Sequence, residues 1–139
     1  MRILIVEHSA VIRERLRDML QKIPNIELAG EADNVGDAVL NIRKIRPDVV
    51  ILDYVSDRGN NLSLMYWIKL QSLDTRVIVL TNNVYSQYRK NCMEAGADYF
   101  MDKSRDIDEL GRLLSTLAAA SAIEPGTIQD EQESLARSK

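Results

Sequence analysis

Five side chains capable of chemistry stand at the ends of short apolar runs. Asp53 closes Val49-Val50-Ile51-Leu52, and Glu7 and His8 close Ile3-Leu4-Ile5-Val6. Thr81 closes Val77-Ile78-Val79-Leu80, and Lys103 ends the run that passes through Tyr99-Phe100-Met101. A carboxylate, a hydroxyl and an ammonium brought to one place suit phosphoryl chemistry. The question is therefore which elements would bring them there.

An apolar run of four, such as the one opened after Pro47-Asp48, reads as a short strand buried on both faces. Parallel sheets of such strands gather ligands at their carboxyl ends, so four strands would deliver Glu7, His8, Asp53, Thr81 and Lys103 to one rim. Helical patterns fill the intervals. Ser9 is a candidate N-cap for a helix carrying Val11, Ile12, Leu16, Met19, Leu20 and Ile23, which Pro24-Asn25 stops. Ile26 to Ala32 is a short second strand. Asp33 or Asn34 caps a second helix with Ala38, Val39, Ile42 and Ile45, ended by Pro47. Residues 56–61 are rich in turn formers, and Leu62 to Leu70, with Trp67 at its middle, reads as a largely buried third helix. A fourth helix runs from Val84 to Ala95, where Gly96 is the stop signal. The fifth strand covers Asp98 to Met101. The last helix starts near Ile107, carries Leu110, Leu113, Leu114 and Leu117, and is prolonged by Ala118-Ala119-Ala120. The charged stretch after Pro125 reads as a solvated tail. The pattern predicts one domain over residues 1–121 and a tail over 122–139, with neither an internal repeat nor a helix-turn-helix.

Composition narrows the function classes. The chain has 139 residues and a net charge of −3, which argues against a dominant nucleic-acid footprint. Its local basic residues (Arg13, Arg15, Arg17; Arg43, Lys44, Arg46) fall at spacings of solvated helix faces. The single cysteine, Cys92, fits a reducing compartment and reads as a small core residue. No early apolar stretch approaches the roughly 20 residues of a membrane span, so a cytoplasmic location is expected. Gly-rich phosphate loops are lacking, which weighs against a phosphate-cofactor enzyme.

With these residues placed, the chain resembles the receiver domains of two-component response regulators over about residues 1 to 121. Glu7 matches the acidic position closing strand one, Asp53 the phosphoacceptor closing strand three, and Thr81 the hydroxyl closing strand four. The segment Gly96-Ala97-Asp98-Tyr99-Phe100-Met101-Asp102-Lys103 resembles the family's Gly-Ala-x-x-aromatic-x-x-Lys signature. Thr81 and Lys103 lie 28 and 50 residues past Asp53, spacings that fit as well.

The resemblance implies a five-stranded, doubly wound parallel α/β sheet with five helices, of the flavodoxin-like kind. It implies that Asp53 attacks the phosphohistidine of a sensor histidine kinase, or a phosphotransfer protein, to form an acyl phosphate. Lys103 would pair with Asp53 and then with a phosphate oxygen, while Thr81 and Phe100 would form the switch. A Mg²⁺ would be held by Glu7, Asp53 and the carbonyl of Val55. Output would pass through contact with a downstream protein target, and the apolar stripe of the last helix leaves a homodimer open. Enzymatic activity would amount at most to self-phosphorylation from a small phosphodonor and loss of the phosphoryl group.

The chain departs from this pattern at His8, where a second acidic residue is usual. Imidazole is a poor Mg²⁺ ligand and better suited to softer ions, although the lack of a second His or Cys weighs against a dedicated transition-metal site. Three readings of His8 stay open: a weak metal site, an imidazolium standing in for the metal, and a tolerated rim residue. Asn82 replaces the small residue expected after Thr81, Asp57 replaces a proline, and Asn61 replaces a glycine whose left-handed turn asparagine also tolerates. Two functions follow. The first is a stand-alone receiver phosphorylated at Asp53, and the second is a phosphorylation-independent docking module on the same fold.

Overall fold

The computed structural model describes residues 1–53, 60–71, 74–82 and 86–122. Val55, Asp57, Val84, the side chain of Asn61 and the tail from residue 123 lie outside the described part. Strands and helices alternate: β1 (Arg2–Val6), α1 (Ala10–Gln21), β2 (Glu27–Ala32), α2 (Val35–Ile45), β3 (Val49–Asp53), α3 (Asn60–Gln71), β4 (Arg76–Thr81), α4 (Ser86–Glu94), β5 (Tyr99–Asp102) and α5 (Ile107–Ala122). The strands form one parallel sheet in the order β2-β1-β3-β4-β5. A parallel sheet needs helical crossovers, and these cover both of its faces.

Side chains alternate across a strand, and the two cores divide by that rule. Ile3, Ile5, Val49, Ile51, Ile78 and Leu80 pack with Leu16 and Leu20 of α1 and Leu110 and Leu114 of α5. Leu4, Val6, Val50, Leu52, Val77 and Val79 pack with residues of α2, α3 and α4, among them Ala38, Ile42, Leu64, Met65, Ile68 and Cys92. Strands β1, β3 and β4 thus read as continuous apolar runs because both of their faces are covered.

Caps fall where the sequence places them. Ser9 Oγ accepts from the Ile12 amide at 3.3 Å, and Asn34 Oδ1 accepts from the Asp37 amide at 2.8 Å. Helix α2 ends at Ile45, with Arg46 in the left-handed region (φ 51°). Gly96 takes φ 112°, and a Cβ there would sit 2.7 Å from Lys69 Cγ. Glycine is therefore required at that turn on two counts.

Two expectations for α3 are corrected. The helix begins at Asn60, so Asn60 and Asn61, read from the sequence as loop, lie in its first turn. No left-handed turn is needed at Asn61, because asparagine is at home at a helix start. Nor is the helix largely buried. Leu64, Met65 and Ile68 face the core, but Tyr66 is 54% and Leu70 83% exposed. One helix face suffices to cover the sheet, and the apolar residues on the other face meet solvent.

Candidate functional site

The alternation that divides the core also aims the site residues. Glu7 continues the parity of Ile3 and Ile5, Asp53 that of Val49 and Ile51, and Lys103 that of Tyr99 and Met101. All three belong to the face covered by α1 and α5. At the carboxyl end of the sheet they meet. Lys103 Nζ donates to Asp53 Oδ1 at 2.5 Å and to Glu7 Oε1 at 2.9 Å. The three residues are 5%, 4% and 1% exposed respectively, so this is a buried ionic cluster rather than a rim of solvated charges.

Each member is held by its backbone surroundings. The Glu7 amide donates to the Ala32 carbonyl at 2.9 Å, prolonging the β1–β2 ladder. Arg13 Nη1 donates to the Glu7 carbonyl at 2.7 Å, and the Ser9 amide donates to Glu7 Oε1 at 3.3 Å. The Lys103 amide donates to the Thr81 carbonyl at 2.9 Å. Just before it, Asp102 Oδ1 accepts from the Ser104 amide at 2.8 Å and from Ser104 Oγ at 2.7 Å. These bonds hold the Asp102 carboxyl below its ordinary range. Asp106 Oδ2 in turn accepts from the Asp102 amide at 2.9 Å. Arg13, Ser104 and Asp106 thus position the site without touching Asp53. Sequence reasoning missed them, although Asp102-Lys103-Ser104 carries the signal of a side chain bonding the backbone two residues on.

Thr81 is buried and has the opposite parity, that of Val77 and Val79. Phe100, paired with Val79 across the strands, is half-buried against the same core, with the Arg89 guanidinium 5.9 Å from its ring centre. Thr81 and Phe100 therefore belong to the face of the sheet that α2, α3 and α4 cover. Asn82 is exposed.

His8 is half-exposed, and its Nδ1 contacts Asp53 Oδ2 and lies 3.5 Å from Glu7 Oε1. Both carboxylate oxygens of Asp53 thus face a basic group. Glu7 differs: its Oε2 is buried with no hydrogen-bond partner among the described residues. Burial pushes the Glu7 carboxyl above its ordinary value, and the hydrogen bond from Lys103 only partly offsets this.

Glu7, His8 and Asp53 place one ligand atom each within 4.8 Å of one another, an acidic and imidazole cluster with the spacing of a metal site. The Mg²⁺ that the resemblance implies requires oxygen donors in near-octahedral array. Here a nitrogen stands among the donors, against Asp53 Oδ2. The set as placed does not fit Mg²⁺. Val55, the third ligand expected from the resemblance, lies outside the described residues.

The family model for the response regulator receiver domain matches residues 3–115. A provisionally named transcriptional regulator of Pseudomonas aeruginosa is 34% identical over 127 residues, which cover 91% of this chain and 58% of that protein. The DNA-binding transcriptional activator DevR/DosR of Mycobacterium tuberculosis is 27% identical over 88% of this chain and 56% of its own length. The chain thus spans little more than half the length of these relatives. Among solved structures, the signal receiver domain of a DNA-binding response regulator from Colwellia psychrerythraea superposes with a TM-score of 0.78. It is 23% identical, with 86% of this chain and 98% of that one covered. No helix among the described residues is long and apolar enough to cross a membrane.

Proposed function

The chain belongs to the response regulator receiver family of two-component signalling, and from that premise we propose that it accepts a phosphoryl group on Asp53 and signals by protein contact. The observation that carries the reading is the buried Lys103 ammonium bridging Asp53 Oδ1 and Glu7 Oε1. A carboxylate so paired is held in a fixed orientation, as a nucleophile must be.

With Oδ1 held by Lys103, Oδ2 is the attacking atom once the half-exposed His8 ring turns outward. An Asp53 oxygen attacks phosphorus in a phosphoimidazole of a sensor histidine kinase or phosphotransfer protein. The P–O bond forms as the P–N bond breaks, and the electron pair stays on the departing imidazole nitrogen, which solvent protonates. Lys103 neutralises charge gathering on the transferring group. Thr81 Oγ1 donates to a phosphoryl oxygen of the product. Its shift, followed by Phe100 on the same sheet face, carries the change to α4 and β5, where a downstream protein target docks.

A second reading is favoured by one observation, the His8 contact that occupies Asp53 Oδ2. If that contact persists, the acceptor is closed and the chain is a phosphorylation-independent docking module. Intact-mass analysis after incubation with acetyl phosphate separates the two. The receiver reading predicts an adduct of one phosphoryl group on the wild type and none on Asp53→Asn. The docking reading predicts no wild-type adduct with any divalent ion present.

A further inference from the structure

We propose that the groove between α2 and α3, at the amino edge of the sheet, is a docking site for the chain's own acidic tail, residues 123–139. The groove lies at the end of the sheet opposite Asp53, and the inference stands apart from the reading of that residue.

A cavity of about 580 Å³ opens there, lined by the buried Ile42 and Ile68 and by Arg43, Arg46, Trp67 and Asp74. Pro47 and Thr75 also border it, and they precede β3 and β4, which fixes the cavity at the amino edge. The Arg43 guanidinium lies 5.7 Å from the centre of the Trp67 ring and joins the two helices across the groove. Apolar surface continues outward from this contact. Leu40, one turn before Arg43, is 65% exposed; Tyr66 and Leu70, on either side of Trp67, are 54% and 83% exposed. The other large exposed apolar residues among those described, Val11 and Met93, stand apart on α1 and α4. Apolar side chains gathered in this way mark a contact surface.

Charge and chain path select the occupant. Arg43, Lys44 and Arg46 crowd the last turn of α2, all exposed, and none has a carboxylate partner among the described residues. Of the nearby carboxylates, Asp48 Oδ2 already accepts from the Arg2 amide at 2.8 Å, and Asp74 stands on the α3 side of the groove. The α2 wall is therefore a cationic border beside an apolar strip. The tail has the matching chemistry. Glu124, Asp130, Glu131 and Glu133 precede its first basic residue, Arg137, and Ile128 and Leu135 flank the acidic run. Its origin also suits the groove. Helix α5 starts beyond the carboxyl end of β5 and runs back for 16 residues, about 24 Å, so it delivers residue 123 to the amino edge. From there to Leu135 an extended chain reaches roughly 40 Å. A sheet with one helical layer on each face is about 30 Å thick, so the tail can pass the sheet edge and enter the groove.

Paramagnetic NMR on the full chain tests this. A nitroxide is attached at Ser134→Cys, while Cys92 is buried and stays unlabelled. The expected result is loss of most of the signal of the Trp67 indole N–H and of the Leu40 and Leu70 amides. The Val11 amide, on the opposite face of the sheet, should keep its intensity. High salt should restore the Trp67 signal, since the exposed charges are screened. Lys44→Glu with Arg46→Glu should restore it as well. Adding Asp130→Lys, Glu131→Lys and Glu133→Lys to that variant should remove it again, which a merely structural effect of the α2 changes would not do. Thermal melting confirms that each variant is folded. Full Trp67 intensity in the nitroxide chain, equal loss at Val11, or a loss that the α2 charge reversal leaves untouched would overturn the proposal. So would equal broadening in an isotope-labelled chain without nitroxide when it is mixed with the nitroxide chain, because the tail would then sit on a second copy.

Discussion

Replacing Lys103 with methionine keeps most of the side-chain volume and removes the charge between two buried carboxylates. Breaking a buried ion pair by deleting one partner costs about 3–5 kcal/mol, and here one ammonium serves Glu7 and Asp53 at 2.9 and 2.5 Å. A loss of that size is a large part of the 5–15 kcal/mol that holds a typical domain folded. At roughly 4 °C per kcal/mol for a domain of this size, the melting temperature should fall by about 12–20 °C. The loss should also depend on pH, with a definite sign. Burial already raises the Glu7 carboxyl above its unfolded value, and Lys103 opposes that rise. An acid with a raised folded pKa destabilises the fold once pH climbs through that pKa, and protonation below it relieves the strain. Without Lys103 the Glu7 pKa climbs further, so Lys103→Met should be more damaging at pH 8 than at pH 5. Each unit of additional rise corresponds to about 1.4 kcal/mol of difference. Urea unfolding at both pH values, followed through the single tryptophan Trp67, measures this. A loss below about 1 kcal/mol at pH 8, or an equal loss at both pH values, would refute the view that Lys103 compensates two buried carboxylates.

Other expectations are simpler. Gly96→Ala places a Cβ at φ 112° and 2.7 Å from Lys69 Cγ, and should cost about 1–3 kcal/mol in thermal or urea unfolding. Lys69 should lose part of its hold on Asp98 Oδ2 and the Thr75 carbonyl. Burial pushes the Cys92 thiol up to about 11, so a thiolate-directed reagent should react with it at pH 8 only as fast as the chain unfolds. Labelling rates that rise with urea in step with unfolding would confirm this, and rapid native-state labelling would contradict it.

Much of the site was legible because chemistry and strand parity coincide. Glu7, Asp53 and Lys103 each end an apolar run at the parity of one sheet face, and a parallel sheet gathers such ends. Their meeting follows from the pattern alone. The contact of His8 with Asp53 and the stranded Glu7 Oε2 were not legible, because they depend on side-chain rotamers that no periodicity encodes. The exposed Tyr66 and Leu70 were misread for a related reason. A helix apolar on most sides gives little sign of which face the sheet will take, and the polar residues of 60–71 gather into no single stripe to decide it. Arg46 in the left-handed region was likewise silent, since the bound on α2 came from Pro47 one residue later. The place of Thr81 at a strand end sets it at the carboxyl rim of the sheet, where β3 also ends at Asp53. Its parity, that of Val77 and Val79, also sets it on the sheet face of Phe100, which its place at the end of an apolar run did not reveal.

The central claim is that Asp53 carries the phosphoryl group. The most direct measurement is to treat the chain with acetyl phosphate, reduce the product with borohydride, and map the modified residue by peptide mass spectrometry. An acyl phosphate at Asp53 would be reduced to homoserine at that position, and at no other carboxylate, in the wild type; Asp53→Asn would show none. Homoserine at another aspartate, or a phosphoryl adduct that survives in Asp53→Asn, would contradict the account.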